Sequence, residues 1–324
     1  MTMQMRQVGK TDIKVSEINL GCWTLGGLNW VNGSPNGWAN VDEDEAIKAI
    51  HYAMDQGVNH FDNADVYGNG RAERMLAKAL GSKSTEVVVA TKVGHFPGTA
   101  EHAYDALHVR HQCEQSLRNL NRDYIDIYYF HHGDFGPDDK YVDAAVETVN
   151  KLKQEGKIRA IGLSAYSDND FLRLVPKIIP AVLQSWAHAM SDGFIRKGSP
   201  VQQLLEKEGM SFVTFSPLAQ GLLLGKYDKK NPPTFDEGDH RKGSKSFSAE
   251  NLEKLEPKIE KLKSRFGSEI RDLSRMALQY NLHSPEVCCV IPGFRNQRQV
   301  ETNLWADGKP LTDEDMVFIR ETLA

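Results

Sequence analysis

Asp62, Tyr67, Lys92 and His131 each follow the end of an apolar run with the character of a β-strand, and three of them close consecutive runs. A carboxylate, a phenol, an ammonium and an imidazole converging on one point can move a proton to or from a carbonyl oxygen. That equipment belongs to an enzyme. Asp62 opens Asp62-Asn63-Ala64-Asp65-Val66-Tyr67, and a tyrosine five residues past a strand end can fold back over the sheet. For Tyr67 to act as an acid near neutral pH its pKa must fall from about 10, which a nearby ammonium would do. Lys92, closing Val88-Val89-Ala90-Thr91, is placed to be that ammonium, and Asp62 to hold it. His131, after Ile125-Asp126-Ile127-Tyr128-Tyr129-Phe130, can orient a carbonyl from the other side. Each residue alone has a duller reading as a solvated charge, a packing ring or a satisfied polar group. The combination on adjacent strand ends favours function.

These residues need a scaffold that gathers strand ends. Strand candidates are Glu17 to Leu20, Asn59 to Asp62, Val87 to Thr91, Ile125 to Phe130, Ala160 to Ser164, Val182 to Ser185, Phe212 to Ser216 and Cys288 to Ile291. Segments of helical spacing separate them, such as Ile47, Ile50, Ala53 and Met54. Strand and helix in alternation demand parallel pairing with right-handed crossovers, and eight such units close into a (β/α)8 TIM barrel. An open doubly wound sheet fits less well, because Gly21, Gly26 and Gly27 lack the Gly-x-Gly-x-x-Gly spacing. Ahead of the barrel, Met5 to Val8 and Ile13 to Ser16 flank Gly9-Lys10-Thr11-Asp12 as a hairpin. Extra segments follow strand one (Cys22 to Asn40, with Trp23, Trp30 and Trp38) and strand seven (Lys226 to Phe247, then helices over Ala249 to Phe266 and Glu269 to Leu282). A capped helix over Thr312 to Thr322 ends the chain. One domain, 1–324, is expected.

Composition narrows the partners. Lys and Arg total 39 against 44 Asp and Glu, a net charge of -5, which argues against nucleic acid or an anionic membrane surface and for a small substrate. Met1 to Val15 has no apolar leader core, and no stretch is apolar enough to span a membrane, so a soluble cytoplasmic protein is expected. The four cysteines, Cys22, Cys113, Cys288 and Cys289, lack metal or disulfide spacing and read as packed thiols. Nothing marks an interface, so a monomer is the default.

Phe61-Asp62-Asn63-Ala64-Asp65-Val66-Tyr67-Gly68, Thr91-Lys92, Asp123 to Tyr128 with His131, Gly156 to Ser164, Phe215 to Leu223 and Val290-Ile291-Pro292-Gly293 occur in an order that resembles the aldo-keto reductase family. The match covers nearly the full length, and its style is that of the bacterial general-reductase and potassium-channel β-subunit branches. The resemblance implies reduction of an aldehyde or ketone with NADPH bound across the barrel mouth. Tyr67 would protonate the oxygen, Lys92 and Asp62 tune it, and His131 orient the substrate. Ser164 and Gln184 would hold the nicotinamide carboxamide and Phe215 its ring. Gly21, Cys22, Trp23 and Asp62 would also contact the cofactor. Ser216, Pro217, Leu218, Gln220 and Gly221 would follow the pyrophosphate, with Lys226 and Arg241 beyond. Ile291, Gly293, Arg295, Gln299 and Asn303 would hold the adenosine end, Arg295 supporting NADPH over NADH through a 2′-phosphate. Ala165 stands where relatives usually carry Asn, which removes one amide contact worth about 1 kcal/mol. Trp23, Trp30, Tyr67, His95, Phe96 and His131 are expected to wall the substrate pocket, pointing weakly to bulky or aromatic carbonyls.

Two other readings compete. A nicotinamide-nucleotide-sensing regulatory protein, like the channel β-subunits, would keep the same four residues but work through a partner. A hydrolytic barrel would use His131, His132 and Asp134 on a metal, yet neighbouring residues of a strand point to opposite faces, so no metal is expected.

Overall fold

The computed structural model describes residues 3–31 and 34–324. Eight parallel strands form its centre: β3 (Leu20–Gly21), β6 (His60–Asp62), β7 (Val88–Val93), β8 (Ile125–Phe130), β9 (Ile158–Ser164), β10 (Val182–Trp186), β11 (Ser211–Phe215) and β12 (Val287–Ile291). Neighbours in sequence pair in space from β3 to β12. The two edges then meet through parallel bridges Ile18↔Val290 and Gly21↔Gly293, with Asn19 N–H donating to Val290 O at 2.9 Å. This is the (β/α)8 TIM barrel that the alternating pattern predicts.

The hairpin β1 (Met5–Gln7) and β2 (Lys14–Ser16) pairs antiparallel and covers the N-terminal end of the barrel. Val8, Ile13 and Val15 are buried among Val88, Ala90, Ile127, Tyr129, Ala160, Val182, Val213 and Cys289, the inward residues of the strands. Gly9, at φ +49°, packs so tightly that an added Cβ would sit 2.3 Å from Ala181 O. Inside the barrel Gly162 leaves the space that Tyr129 fills, since a Cβ there would lie 2.3 Å from its ring. Period-two alternation puts Val88, Ala90 and Lys92 on one face of β7, and likewise Ala160 and Ser164, Val182 and Gln184, Val213 and Phe215. The inward positions are thus apolar at the hairpin end and polar or aromatic at the opposite mouth.

Helices α2 (Glu43–Asp55), α3 (Arg71–Leu80), α4 (Ala106–Leu120), α5 (Val142–Gln154), α6 (Asp168–Ile178) and α7 (Pro200–Glu208) are crossovers that surround the strands, and α10 (Gln297–Leu304), after the last strand, completes the ring beside α2. Local signals set their ends: Asp105, Ser167 and Ser199 cap α4, α6 and α7, and Gly209 ends α7 in left-handed backbone. After β11 come α8 (Ala249–Phe266) and α9 (Ile270–Leu282), and the chain closes with α11 (Asp313–Leu323), whose Thr312–Asp315 capping box is formed.

Three boundaries differ from expectation. β7 runs on to Val93, which pairs with Phe130, so Lys92 lies within the strand and not past it. The first barrel strand is Leu20–Gly21; ahead of it there is only the Ile18↔Val290 bridge, in which Glu17 O accepts from Val290 N–H at 2.9 Å while the Glu17 side chain meets Arg6 and Gln279. The segment after it is no plain loop. It contains a helical turn, α1 (Trp23–Gly26), and a hairpin of β4 (Leu28–Val31) with β5 (Ser34–Gly37).

Candidate active site

Lys92 and Asp62 meet at the C-terminal end of the barrel with side chains 1% and 2% exposed, forming an ion pair. Lys92 Nζ also donates to Asn63 O at 2.7 Å and lies 3.4 Å from Tyr67 Oη. The second carboxylate oxygen of Asp62 accepts from Gln184 Nε2 at 2.8 Å. Tyr67 reaches this point because the chain after β6 stays tied to the sheet, Asn63 N–H donating to Ala90 O and Asp65 N–H to Lys92 O. Gly68 then turns at φ +60°, so close to α1 that a Cβ would sit 2.0 Å from Gly26 O. Three of the four expected catalytic groups are therefore joined through Lys92.

The acidity expected of Tyr67 is not found. Burial, then the negative charge of Asp62, with Cys22 and Asp65, pushes the phenol well above 10. Lys92 does not reverse this because Asp62 neutralises it at contact distance. The phenol therefore holds its proton at neutral pH, as a proton donor must.

His131 sits across from Tyr67, ring centroids 5.9 Å apart, with its backbone N–H donating to Val93 O. Its Nδ1 is buried and unpartnered. Burial, then the neighbouring His95 and Lys92, holds its pKa well below 6.5, so the imidazole is neutral. His95 lies 4.1 Å from it, ring to ring, and burial brings His95 down to about 4. His132 turns to backbone instead, Nε2 at Gly94 O and Nδ1 accepting from Asp134 N–H.

From these groups a cavity of about 620 Å³ extends across the mouth to a cluster of cations, Lys226, Arg241, Arg295 and Arg298. Burial and mutual repulsion depress the pKa of Lys226 and Arg295. Asp239 accepts two hydrogen bonds from Arg241, at 2.9 and 2.8 Å, but Arg295 Nη2 stays 3.8 Å away, buried and unbonded. Asp239, with Asp236 farther off, faces four cations, and the surplus is one that an anion would neutralise. Along the way Ser216, Ala219 and Gln220 hold left-handed backbone, strain of the kind that collects at ligand clamps. Ser164 Oγ, at the nicotinamide end of the expected groove, is buried without a partner. A dinucleotide with phosphates at the cationic end and an amide near Ser164 fits these unmet groups.

Over this groove a clasp joins the two insertions. Gly37 bridges to Asp239, His240 N–H donates to Gly37 O at 3.0 Å, and the His240 ring lies 4.4 Å from both Trp23 and Trp38. Arg241 stacks 4.4 Å over Trp38.

The model of the Aldo/keto reductase family matches residues 17–324. The chain belongs to that family. Over 94% of its length it is 30% identical to L-galactose dehydrogenase of Arabidopsis thaliana, covering 88% of that protein. A probable voltage-gated potassium channel subunit beta of the same plant is 28% identical over 94% of this chain and 91% of its own. Among solved structures, a glycerol dehydrogenase from Gluconobacter oxydans superposes with a TM-score of 0.81 at 28% identity, covering all of this chain and 96% of that one. Aldo/keto reductases are oxidoreductases that normally bind a nicotinamide cofactor.

Most of the residues expected to line an aldo/keto reductase groove do so here, from Gly21, Cys22 and Trp23 through Phe215 to Gly221 and on to Gln299 and Asn303. Ser164 lies buried behind the wall. Trp30 and Phe96 are misplaced by expectation. In the β4–β5 hairpin alternation turns Asn29 into the cavity and Trp30 outward, 64% exposed. Phe96 packs toward His108, which contacts its carbonyl at 3.0 Å. Trp38, which the sequence offers as an aromatic pocket wall, lines the cavity, and Tyr166, Trp186, Arg298 and Thr302 line it without having been assigned to it. Trp186 ends β10, so the strand-end rule that picked Lys92 marks it too. Arg298 and Thr302 lie one helical turn apart on α10, beside Gln299 and Asn303.

Proposed function

We propose that the chain reduces an aldehyde or ketone to an alcohol with NADPH. The observation that carries this is the buried Tyr67–Lys92–Asp62 contact facing His131 at one end of a cavity whose other end holds surplus cations. A bound reduced nicotinamide supplies the hydride. Tyr67 donates its proton to the carbonyl oxygen, and Lys92, 3.4 Å away, stabilises the phenolate left behind. Asp62 holds Lys92 in place. The neutral imidazole of His131 donates a hydrogen bond to the same oxygen and so orients the substrate. Gln184 holds the carboxamide from the cavity wall, Ser164 is in reach only if the wall before it gives way, and Phe215 offers the flat face. Arg295, with Arg241, Arg298 and Lys226 near it, reads a ribose 2′-phosphate, which favours NADPH over NADH. We further take the chain to act as one cytoplasmic domain, a monomer by default. No described helix is long and apolar enough to cross a membrane.

Tryptophan quenching on titration with NADPH and NADH, followed by addition of a panel of aldehydes, ketones and quinones, tests this. NADPH should bind more tightly and be oxidised once a carbonyl is present. Tight binding with no turnover on any carbonyl would overturn the reductase and favour a nucleotide-sensing regulatory protein.

A further inference from the structure

The reacting end of the cavity carries a second polar device beside His131. Two stacked aromatic pairs form its walls, Trp23 on Tyr67 at 6.1 Å and Tyr166 on Trp186 at 5.9 Å. Between them His95 stands edge-on to His131. Its Nε2 lies 3.4 Å from Tyr166 Oη, which also reaches His131 O at 3.3 Å. Both contacts are long for an oxygen or nitrogen pair, so neither group is fully used. Tyr166 remains 39% exposed, toward the cavity that it lines.

No net charge accompanies this device. The lining cations are gathered at the far end, behind Trp38, with Arg241 and Arg295 4.4 and 5.2 Å from its ring. Lys92 is cancelled by Asp62, and burial keeps His95 and His131 neutral. An anionic substituent placed here would be desolvated without a counter-charge.

We propose that His95 and Tyr166 read a second, uncharged oxygen on the carbon next to the reacting carbonyl, so that the substrate is a neutral α-oxygenated carbonyl compound with an apolar or aromatic body. This rests on the reductase reading. Two imidazoles in edge contact present hydrogen-bonding nitrogens to two neighbouring oxygens at once. His131 takes the reacting one, and His95 with Tyr166 takes its neighbour. A hydroxyl suits the pair best, because imidazole and phenol together offer both a donor and an acceptor. Stacked aromatic walls accept a flat apolar body.

Three ketones with one aromatic body separate the possibilities: 2-hydroxyacetophenone, acetophenone and benzoylformate, reduced with NADPH. The hydroxyketone should exceed acetophenone in kcat/KM by about tenfold, the worth of one neutral hydrogen bond. Benzoylformate should fall below the hydroxyketone by about a hundredfold, from burying an unpaired carboxylate. His95→Phe should bring the ratio of hydroxyketone to acetophenone close to one, and His95→Gln, which keeps a neutral donor and acceptor, should restore much of it. Calorimetric binding of 1-phenyl-1,2-ethanediol, 1-phenylethanol and mandelate to the NADPH-loaded protein reads the same order without turnover. If that order holds while no ketone is reduced, the reductase reading falls and the ligand class stands. Equal use of acetophenone, a preference for benzoylformate or mandelate, or an unchanged ratio in His95→Phe would overturn the proposal while leaving the reductase intact.

Discussion

Two buried ion pairs stand at opposite ends of the same sheet, and only one of them is closed. Near the N-terminal end Arg122 and Asp126 are 2% and 1% exposed. Arg122 donates to Asp126 at 2.8 Å, to Tyr124 O at 3.1 Å and to Ser84 O. Asp126 also accepts from Val89 N–H at 2.9 Å and Arg159 at 2.6 Å. At the mouth Lys92 and Asp62 are just as deeply buried, yet around them Asn63 Nδ2, His131 Nδ1 and Ser164 Oγ lack partners. Saturated polar groups hold a fold together; unsaturated ones wait for a ligand. Burial of charge alone does not distinguish the two, whereas the state of the surrounding donors and acceptors does.

The sharpest way to break the comparison is chemical. Tyr67→Phe removes only the phenolic proton and should lower kcat by roughly a hundred- to ten-thousandfold while NADPH still quenches tryptophan fluorescence normally. Retained kcat would refute its role as acid. At the closed end Asp126→Ala leaves Arg122 buried without its charge partner and should cost about 3–5 kcal/mol, read as a lower urea midpoint. The folded fraction should turn over as before; loss of kcat without loss of stability would mean that the two ends are not divided as described. Smaller is the effect of Arg295→Ala, which should weaken NADPH by about ten- to a hundredfold, from loss of a charge-assisted bond, and NADH much less. Equal losses for both would show that Arg295 does not read the 2′-phosphate.

The smallest expected effect is an absence of titration. His131 is depressed well below 6.5, so it gains a proton only at lower pH, and Tyr67 is raised well above 10, so it loses one only at higher pH. Between pH 6.5 and 9 neither changes state; the buried neighbour that does is Asp65, which burial raises to about 8, so any step in kcat/KM inside that window should be small and should vanish in Asp65→Asn. A falling limb that persists in Asp65→Asn would mean that the phenol is acidified after all.

The strand ends carrying Asp62, Lys92 and His131 were legible because apolar runs of period two have visible limits, and barrel closure brings such limits together. The closing Thr312 cap and the helices after β11 were legible from local chemistry. The pKa direction of Tyr67 was not, since it depends on how completely Asp62 cancels Lys92 and on a burial that only packing creates. Trp30 was misassigned for a related reason. In a short hairpin a shift of one residue exchanges the faces, and nothing in Leu28-Asn29-Trp30 fixes which face meets the barrel. Tyr166 escaped because it lies beyond its strand, in a loop whose path is set by contacts with His95 and Trp186.

The N-terminal hairpin has a consequence for traffic. Val8, Ile13 and Val15 pack against the inward strand residues and seal the hairpin end, so the cavity lies at the opposite mouth. On the proposed reduction, dinucleotide, carbonyl compound and alcohol would share the mouth of the cavity, where the clasp of Gly37 with Asp239 and His240 lies. Entry and exit must then take turns, so the rate at which that clasp parts can limit turnover however fast the proton and hydride move.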